Sequence, residues 1–492
     1  MPVNCNRKSD CHALLPCFLH QNRPAKGFYE NFLQKVFVCI KKFIYTSSYM
    51  KKKGLLGIFE NLSSGQFPQF KSLWADNREA AHEHGPEHTK TAAPESAIEI
   101  ILKENAEGIA VGLDVGSSKI VALVGRLDAQ QKVEILGFAE APSEGLIRGS
   151  VVNLTKTAAA IREALHSAIT MANVEVNQVI TNYSGLCNNL DQRGVIIRED
   201  MIHEIGNEDI IRLKKEMQGN PYPPGEQIVY LEPQHFIIDD EPDIRDPIGM
   251  AGQRFESDFH VITGEVTGLQ NLQKCVRQAQ VGVKDIYPTG IASAEAVICE
   301  EEKEEGIAVI DIGAAVTSIS VYKHGIMRYA DTILLGGNTI NADIKEFTGL
   351  SSKQAELMKK VYGSVLPEQI DPSEIIQYKI LNGTKDKFIS KVDLALIIQS
   401  RMEELIALAY NRIEEALKGR CLTCGIVFTG GDANLPNLRV LGEQITGLKC
   451  HGGSPTLHLQ KSTVPSEWAE KLTSPAYATS IGLLKMGLTK VA

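Results

Sequence analysis

Basic charge is the first thing this sequence has too little of. Its 51 Lys and Arg are outnumbered by 60 Asp and Glu, for a formal net charge of −9 at pH 7. That balance argues against a nucleic-acid-binding surface and leaves room only for a local basic patch. Long apolar runs are missing too: none reaches the ~20 residues of a membrane-spanning helix. The N-terminus shows no clear signal-peptide pattern with a small-residue cleavage site. The ten cysteines suggest no disulfide framework, with Cys5, Cys11, Cys17 and Cys39 early and the others scattered. Cys421-Leu-Thr-Cys424 is a lone CxxC without a second pair at zinc spacing, so it reads as structural. Cys5, Cys11 and Cys17 with His12 and His20 match no common metal site, and a reducing compartment is the default. What is left is an ordinary globular composition, 43% hydrophobic and 23% charged over 492 residues. That length suffices for roughly three or four domain-sized units.

One phrase occurs twice. Ile109-Ala-Val-Gly-Leu-Asp114-Val-Gly116-Ser-Ser-Lys119 returns as Ile307-Ala-Val-Ile-Asp311-Ile-Gly313-Ala-Ala-Val-Thr317. In each copy a short apolar run meets Asp-x-Gly, then small residues, then a second β-prone run (120–124 and 319–322). The pattern predicts a β-hairpin whose tight turn carries a carboxylate and exposed backbone N–H groups. The spacing is too long for a solenoid period. It predicts two related domains, each offering one turn to the same ligand.

Nucleotide binding fits that arrangement. Backbone N–H groups in a tight turn form a nest for phosphate oxygens. Ser117 and Ser118 add hydroxyl donors, and Lys119 adds a point charge. Asp114 and Asp311, one per turn, suit Mg²⁺ held through its waters. A third element, Gly425-Ile-Val-Phe-Thr-Gly430-Gly431-Asp432, runs an apolar strand into paired glycines, and a helix follows Pro436. Paired glycines let a nucleotide approach the backbone, and a helix N-terminus favours anions. Leu334-Leu335-Gly336-Gly337-Asn338-Thr339 is a similar fourth element. For either Asp-x-Gly turn alone, an ordinary hairpin is the competing reading.

Along the chain, residues 1–107 differ from the rest. Lys51–Lys53 precede Gly-Leu-Leu-Gly-Ile-Phe-Glu-Asn-Leu62, and a polar stretch to about residue 95 reads as a linker. A short helix is expected at 96–104. The ordered core is expected from residue 108, with strands at 109–113, 120–124 and 133–140, a helix at 154–172 and a strand at 178–182. Three meandering strands, a helix and a further strand describe a ribonuclease-H-like half. The order recurs after residue 306, with strands at 307–310, 318–322 and 327–335 and a helix from 338. Between the halves, 183–263 carries strand-like runs at 194–198, 227–232, 235–238 and 259–263 and a helix at 207–218. A second insertion, 346–418, ends in a helix whose apolar stripe runs from Leu394 to Leu417.

With these elements in place the chain resembles, over 108–492, the actin superfamily of ATPases, and within it the bacterial cell-division FtsA family. Asp246-Pro-Ile-Gly-Met250, Gly252, Arg254 and Phe259-His-Val-Ile-Thr263 look like that family's insertion domain. Ile291-Ala-Ser-Ala-Glu-Ala296 and Pro475-Ala-Tyr-Ala-Thr-Ser-Ile-Gly-Leu-Leu484 resemble its two helices connecting the halves. Ala355-Glu356-Leu-Met-Lys359 and Tyr362-Gly363 are similar to the segment that reaches ribose and base.

The resemblance implies an α/β protein of actin-like ATPase fold, two ribonuclease-H-like domains with two inserted subdomains. Its limits would be an extension at 1–107, a first domain at 108–187 with 264–305 and 474–492, and an insertion at 188–263. The second domain would be 306–345 with 419–473, and the second insertion 346–418. The implied cofactors are ATP and Mg²⁺. Asp114, Gly116, Ser117, Ser118 and Lys119 would form the first phosphate turn, and Asp311, Gly313 and Ala314 the second. Asp114 and Asp311 would flank Mg²⁺. Gly336 and Gly337 would close on the terminal phosphates, Gly430, Gly431 and Asp432 would line the adenosine side, and Glu356 and Lys359 would contact sugar and base.

The implied role is a self-assembling scaffold that tethers the FtsZ ring to the inner face of the cytoplasmic membrane. Its partners would be FtsZ at 346–418, copies of itself and later division proteins near the first insertion, with no nucleic acid. An FtsA-like pilus-assembly ATPase and an actin-superfamily small-molecule kinase are the rival readings, and no residue nominates itself as the general base a kinase needs. Two departures stand out. Ala314-Ala315 replace the glycines usual in the second turn, so slow or absent hydrolysis is expected. If Ala315 takes φ > 0, the strain is about 1–3 kcal/mol. The chain stops eight residues after Leu484, too few for the family's C-terminal linker and amphipathic helix. The expectation is therefore an N-terminal anchor at 51–62, where Leu55, Ile58, Phe59 and Leu62 share a helical face. Residues 28–45 are an alternative anchor, Met50 an alternative start, and an extension without a role the plain alternative.

Overall fold

The structure, a computed structural model, describes residues 105–198, 204–380, 383, 385–419, 421–459 and 466–489. The expected linker, N-terminal anchor and 96–104 helix lie outside these residues.

The apolar run before the first Asp-x-Gly becomes β1 (Ala110–Val115), buried along its whole length. It pairs antiparallel with β2 (Lys119–Leu127), with Asp114 opposite Val121 and Val115 opposite Ile120. β3 (Val133–Pro142) extends the meander. Then α1 (Leu154–Ala172) begins at Asn153, whose side chain accepts from the Lys156 N–H, and ends at Asn173 in the left-handed region. Its Ile161, Ala164, Leu165 and Ala168 recur at helical spacing and pack on the sheet. β4 (Gln178–Tyr183) returns parallel to β1.

The first insertion follows: β5 (Cys187–Ile197), α2 (Asn207–Gln218), β6 (Glu226–Ile238), β7 (Glu241–Ile244) and β8 (Arg254–Glu265). Its sheet runs β5-β8-β6-β7 around Phe236, Phe255 and Phe259. The two runs expected at 227–232 and 235–238 form one strand. Pro233 interrupts the apolar pattern there, and the pairing with β8 skips Gln234. Such a bulge accommodates the missing proline donor.

The chain re-enters the first domain through α3 (Val266–Gln278) and β9 (Gly282–Pro288), giving a sheet β9-β4-β1-β2-β3. α4 (Thr289–Val297) and α5 (Glu300–Glu305) lead into the second half. There β10 (Ile307–Ile312), β11 (Thr317–Lys323) and β12 (Ile326–Ile333) repeat the meander. α6 (Gly337–Thr348), α7 (Ser352–Tyr362), the hairpin β13 (Ile375–Lys379) and β14 (Asp386–Ser390), and α8 (Lys391–Leu417) come next. β15 (Gly425–Thr429), α9 (Leu438–Thr446) and β16 (Cys450–Gly452) complete a sheet β12-β11-β10-β15-β16. Both sheets therefore share one topology, a three-strand meander with two parallel strands added beside its first strand.

α8 is not peripheral. Its Leu394, Ile398, Met402, Leu405 and Ile406 share one core with Ile310, Ile312 and Phe428 of the second sheet. After α10 (Ser466–Leu472), α11 (Ala478–Thr489) lies on β1 and crosses α4. A β-carbon on Gly482 would stand 1.7 Å from the Ala292 carbonyl oxygen, so only glycine permits this crossing. The first insertion also touches the second half. Asn189 Nδ2 donates to the Ala330 carbonyl (2.7 Å) and Asn189 Oδ1 accepts from the Ala330 N–H (3.1 Å), on the free edge of β12. Gln234, freed by the bulge, donates to the Met327 carbonyl (3.0 Å).

Candidate functional site

The two Asp-x-Gly turns face each other across a cavity of about 400 Å³ between the halves. Asp114, Gly116, Ser117, Ser118 and Lys119 line it from one side. Asp311, Gly313, Ala314 and Ala315 line it from the other, and Glu356, Lys359, Gly430, Gly431 and Asp432 close the wall. Strand register makes the turns equal in length: Asp114 and Asp311 each sit opposite the seventh residue onward, Val121 and Ser318. By that register Lys119 corresponds to Val316, so the cation is confined to the first turn. Neither Ala314 nor Ala315 has positive φ, and the strain considered for Ala315 does not arise.

Both Asp side chains are buried. Burial pushes Asp114 up to about 7, and the charge of Asp311 adds to the rise, against Lys119 and a hydrogen bond from Asn182. Burial also raises Asp311, against hydrogen bonds from Ser293 (2.6 Å) and Thr479 (3.1 Å). Lys119 is lowered to about 8, first by burial. Its ammonium stands 3.1 Å from the Tyr477 ring centre and 3.7 Å from Glu140. Glu140 in turn accepts from Tyr477 Oη (2.7 Å) and Lys471 (2.7 Å).

On the opposite wall Lys359 is 2% exposed. Its Nζ contacts Asp432 (2.7 Å), Glu356 (2.9 Å) and the Gly337 carbonyl (3.4 Å). Its three N–H groups are therefore committed to protein acceptors. Burial works to raise Glu356, but Lys359 and Lys360 outweigh it and hold the carboxyl down at about 2. Burial raises Asp432 against the pull of Lys359.

Gly336 and Gly337 pack behind the second turn. The Gly337 N–H donates to the Gly313 carbonyl (3.0 Å) and the Asn338 N–H to the Ala314 carbonyl (2.7 Å), so the start of α6 braces the turn. Sequence reasoning did not single out Asn182, Thr289, Ser293, Tyr477 or Thr479, whose side chains support the two turns. Ser293, Tyr477 and Thr479 lie inside the two motifs that resemble connecting helices. Asn182 is the penultimate residue of β4 and has no sequence signal of its own.

A family model described as "Cell division protein FtsA" matches residues 308–482, and one described as "SHS2 domain inserted in FTSA" matches 187–263. The cell division protein FtsA of Neisseria meningitidis serogroup B is 32% identical over 374 residues, 76% of this chain and 88% of its own. The cell division protein FtsA of Bacillus subtilis is 30% identical over 385 residues, 77% of this chain and 84% of its own. Among solved structures, a chain of the PilM-PilN type IV pilus biogenesis complex aligns with a TM-score of 0.55 at 17% identity, covering 77% of this chain and 98% of that one. That likeness bears on the fold, which is the actin-like ATPase fold.

Proposed function

Because this chain belongs to the FtsA family of cell-division proteins, we propose that it binds ATP with Mg²⁺ between its two halves. It would act there as a self-assembling scaffold that ties the FtsZ ring to the inner face of the cytoplasmic membrane and gathers later division proteins. The observation that carries the nucleotide reading is the pair of buried carboxylates, Asp114 and Asp311, on two like turns at one cavity.

The residues present fit the cofactors. Burial raises the proton affinity of both hard oxygen ligands, Asp311 adds to the rise at Asp114, and a divalent cation supplies the positive charge they lack. Gly116, Ser117 and Ser118 offer N–H and hydroxyl donors of the kind that bind phosphate oxygens. Lys119, 3.7 Å from Glu140 and within the electrostatic influence of Asp114, adds a cation on the same side. Gly430 and Gly431 add no side chain of their own to the adenosine wall. Lys359, committed to Asp432 and Glu356, shapes that wall rather than donating to the ligand.

Asp114 and Asp311 are assigned to the cation and Glu140 is held by Tyr477 and Lys471, so ATP is read as a conformational ligand with slow or absent hydrolysis. The FtsZ-facing surface is assigned to 346–418, where Phe347, Leu357, Val361, Ile375 and Phe388 are exposed apolar side chains. Among the described residues no helix is long and apolar enough to cross a membrane. For membrane association the candidate is the segment read from the sequence at 51–62, outside the described residues. The rival readings have less support: the two relatives named above, at 32% and 30% identity, are division proteins, and the likeness to the pilus protein at 17% identity bears on the fold alone.

The deciding experiment is ATP binding to wild type and Asp114→Ala, with Mg²⁺ and with chelator. Mg²⁺ should tighten binding to wild type and have little effect on the variant. Equal affinities in all four cases would remove the nucleotide reading.

A further inference from the structure

The two carboxylates are tied to the seam between the halves. α4 carries Thr289 and Ser293 one helical turn apart, and each hydroxyl serves a different turn. Thr289 Oγ1 accepts from Asn182 Nδ2 (3.1 Å) and donates to the Tyr183 carbonyl (3.1 Å). Asn182 Oδ1 accepts from the Val115 N–H (2.8 Å), and the Asn182 side chain also hydrogen-bonds Asp114. Ser293 Oγ lies 2.6 Å from Asp311 Oδ2 and 2.6 Å from the Thr289 carbonyl oxygen, so its one proton serves two acceptors. From α11, Thr479 Oγ1 donates to the same Asp311 oxygen at 3.1 Å. Ser293 is fully buried and Thr479 7% exposed. These hydroxyls sit on the two helices that cross at Gly482, where the backbones touch without an intervening side chain. Asp311 therefore cannot change its orientation without altering a bond to each helix. Asp114 is reached from the same α4 through Asn182.

We propose that Ser293 and Thr479 are positioning residues that fix the Asp311 carboxylate for the cation and couple occupancy of the site to order at the α4–α11 crossing. This rests on the nucleotide reading above. The physical basis is that a buried carboxylate is oriented by its donors, as outer-shell partners orient metal ligands. A bond shared with a helix passes any reorientation on to that helix. If the hydroxyls served only to satisfy a buried Asp, their removal would lower stability and leave the response to nucleotide alone.

The test uses the full chain with Ser293→Ala, Thr479→Val and Thr479→Ser. ATP affinity is measured with Mg²⁺ and with chelator. Amide hydrogen exchange in α4 and α11 is followed with and without Mg²⁺-ATP. Ser293→Ala and Thr479→Val should each cut the Mg²⁺-dependent gain in ATP affinity about tenfold, the scale of one hydrogen bond to a charged group. Both should erase the nucleotide-dependent difference in exchange, and Thr479→Ser, which keeps the hydroxyl, should restore both readouts. Should Ser293→Ala fail to fold, the Thr479 pair decides by itself. The proposal is overturned if the gain and the exchange difference persist in Thr479→Val, or if Thr479→Ser behaves like Thr479→Val. If the unaltered chain binds no ATP, the nucleotide reading falls and this one with it. Normal binding in wild type and variants alike removes only this one.

Discussion

Gly430 lies against Asp311 so closely that a β-carbon at position 430 would stand 2.3 Å from Asp311 Oδ1. Its backbone, φ 90 and ψ 178, also lies in a region essentially reserved for glycine. Gly430→Ala should therefore cost about 1–3 kcal/mol of stability and displace the Asp311 carboxylate. The expected readouts are a lowered unfolding midpoint and a loss of Mg²⁺-dependent ATP affinity of about tenfold or more. An unchanged midpoint and affinity would show that the strand end relaxes freely.

The raised Asp114 makes a pH prediction. Its folded-state pKa of about 7 exceeds the ordinary carboxylate value of 3.8. Between those values the folded protein holds a proton that the unfolded chain has released. The contribution of this group to stability is thus fully present below about pH 4 and lost as pH rises through about 7. Asp114→Asn should flatten that part of the apoprotein's stability profile, measured by urea midpoints from pH 5 to pH 8. In wild type the Mg²⁺-dependent gain in ATP affinity should grow over the same interval, because the charged carboxylate binds the cation. A variant profile parallel to wild type would contradict the assignment.

Lys359 offers a double-mutant cycle. Lys359→Met leaves Asp432 and Glu356 without their shared cation. Removing one partner of a buried pair costs about 3–5 kcal/mol, and the exposure of Glu356 lowers the expectation to roughly 2–4 kcal/mol. Adding Asp432→Asn should recover part of that loss, because the amide does not leave a buried charge unpaired. Strict additivity of the two substitutions in chemical denaturation would show that the pair does not interact.

The assignment of FtsZ binding to 346–418 needs surface substitutions rather than a deletion. α8 belongs to the same core as β10 and β15, so excising the segment would unfold the second half. Leu357→Ser with Val361→Ser, both on the exposed face of α7, should weaken co-sedimentation with FtsZ at least about tenfold while leaving the unfolding midpoint within a few degrees. Undiminished co-sedimentation would place the contact elsewhere.

Much of the architecture was legible because the decisive signals are local. Apolar runs ending in Asp-x-Gly marked β1 and β10, and periodic apolar faces marked α1 and α8. Other elements lacked such a signal. β7, Glu-Pro-Asp-Ile, is mostly exposed, and β13 and β14 bury little, so their pairing owes more to the hairpin than to any pattern. The site divided similarly. Residues in the two turns and in Gly430-Gly431 could be named from spacing. The fate of Lys359 could not, since Asp432 lies 73 positions away and only folding brings it within 2.7 Å. Asn182, Ser293 and Thr479 were invisible for the same reason: a hydroxyl or amide on an apolar element acquires meaning only from the carboxylate it is folded against.

Asn189 has a consequence for how copies of this chain can join. A lateral strand ordinarily leaves a row of unpaired N–H and C=O groups, a standing template for strand addition and sheet-to-sheet aggregation. On β12 a side-chain amide takes the place of a neighbouring peptide at Ala330, and Gln234 takes up the carbonyl at Met327. The insertion thus acts as a cover for that edge. Any self-assembly of this protein would have to use surfaces other than that edge, and a chain lacking Asn189 would expose it to strand addition.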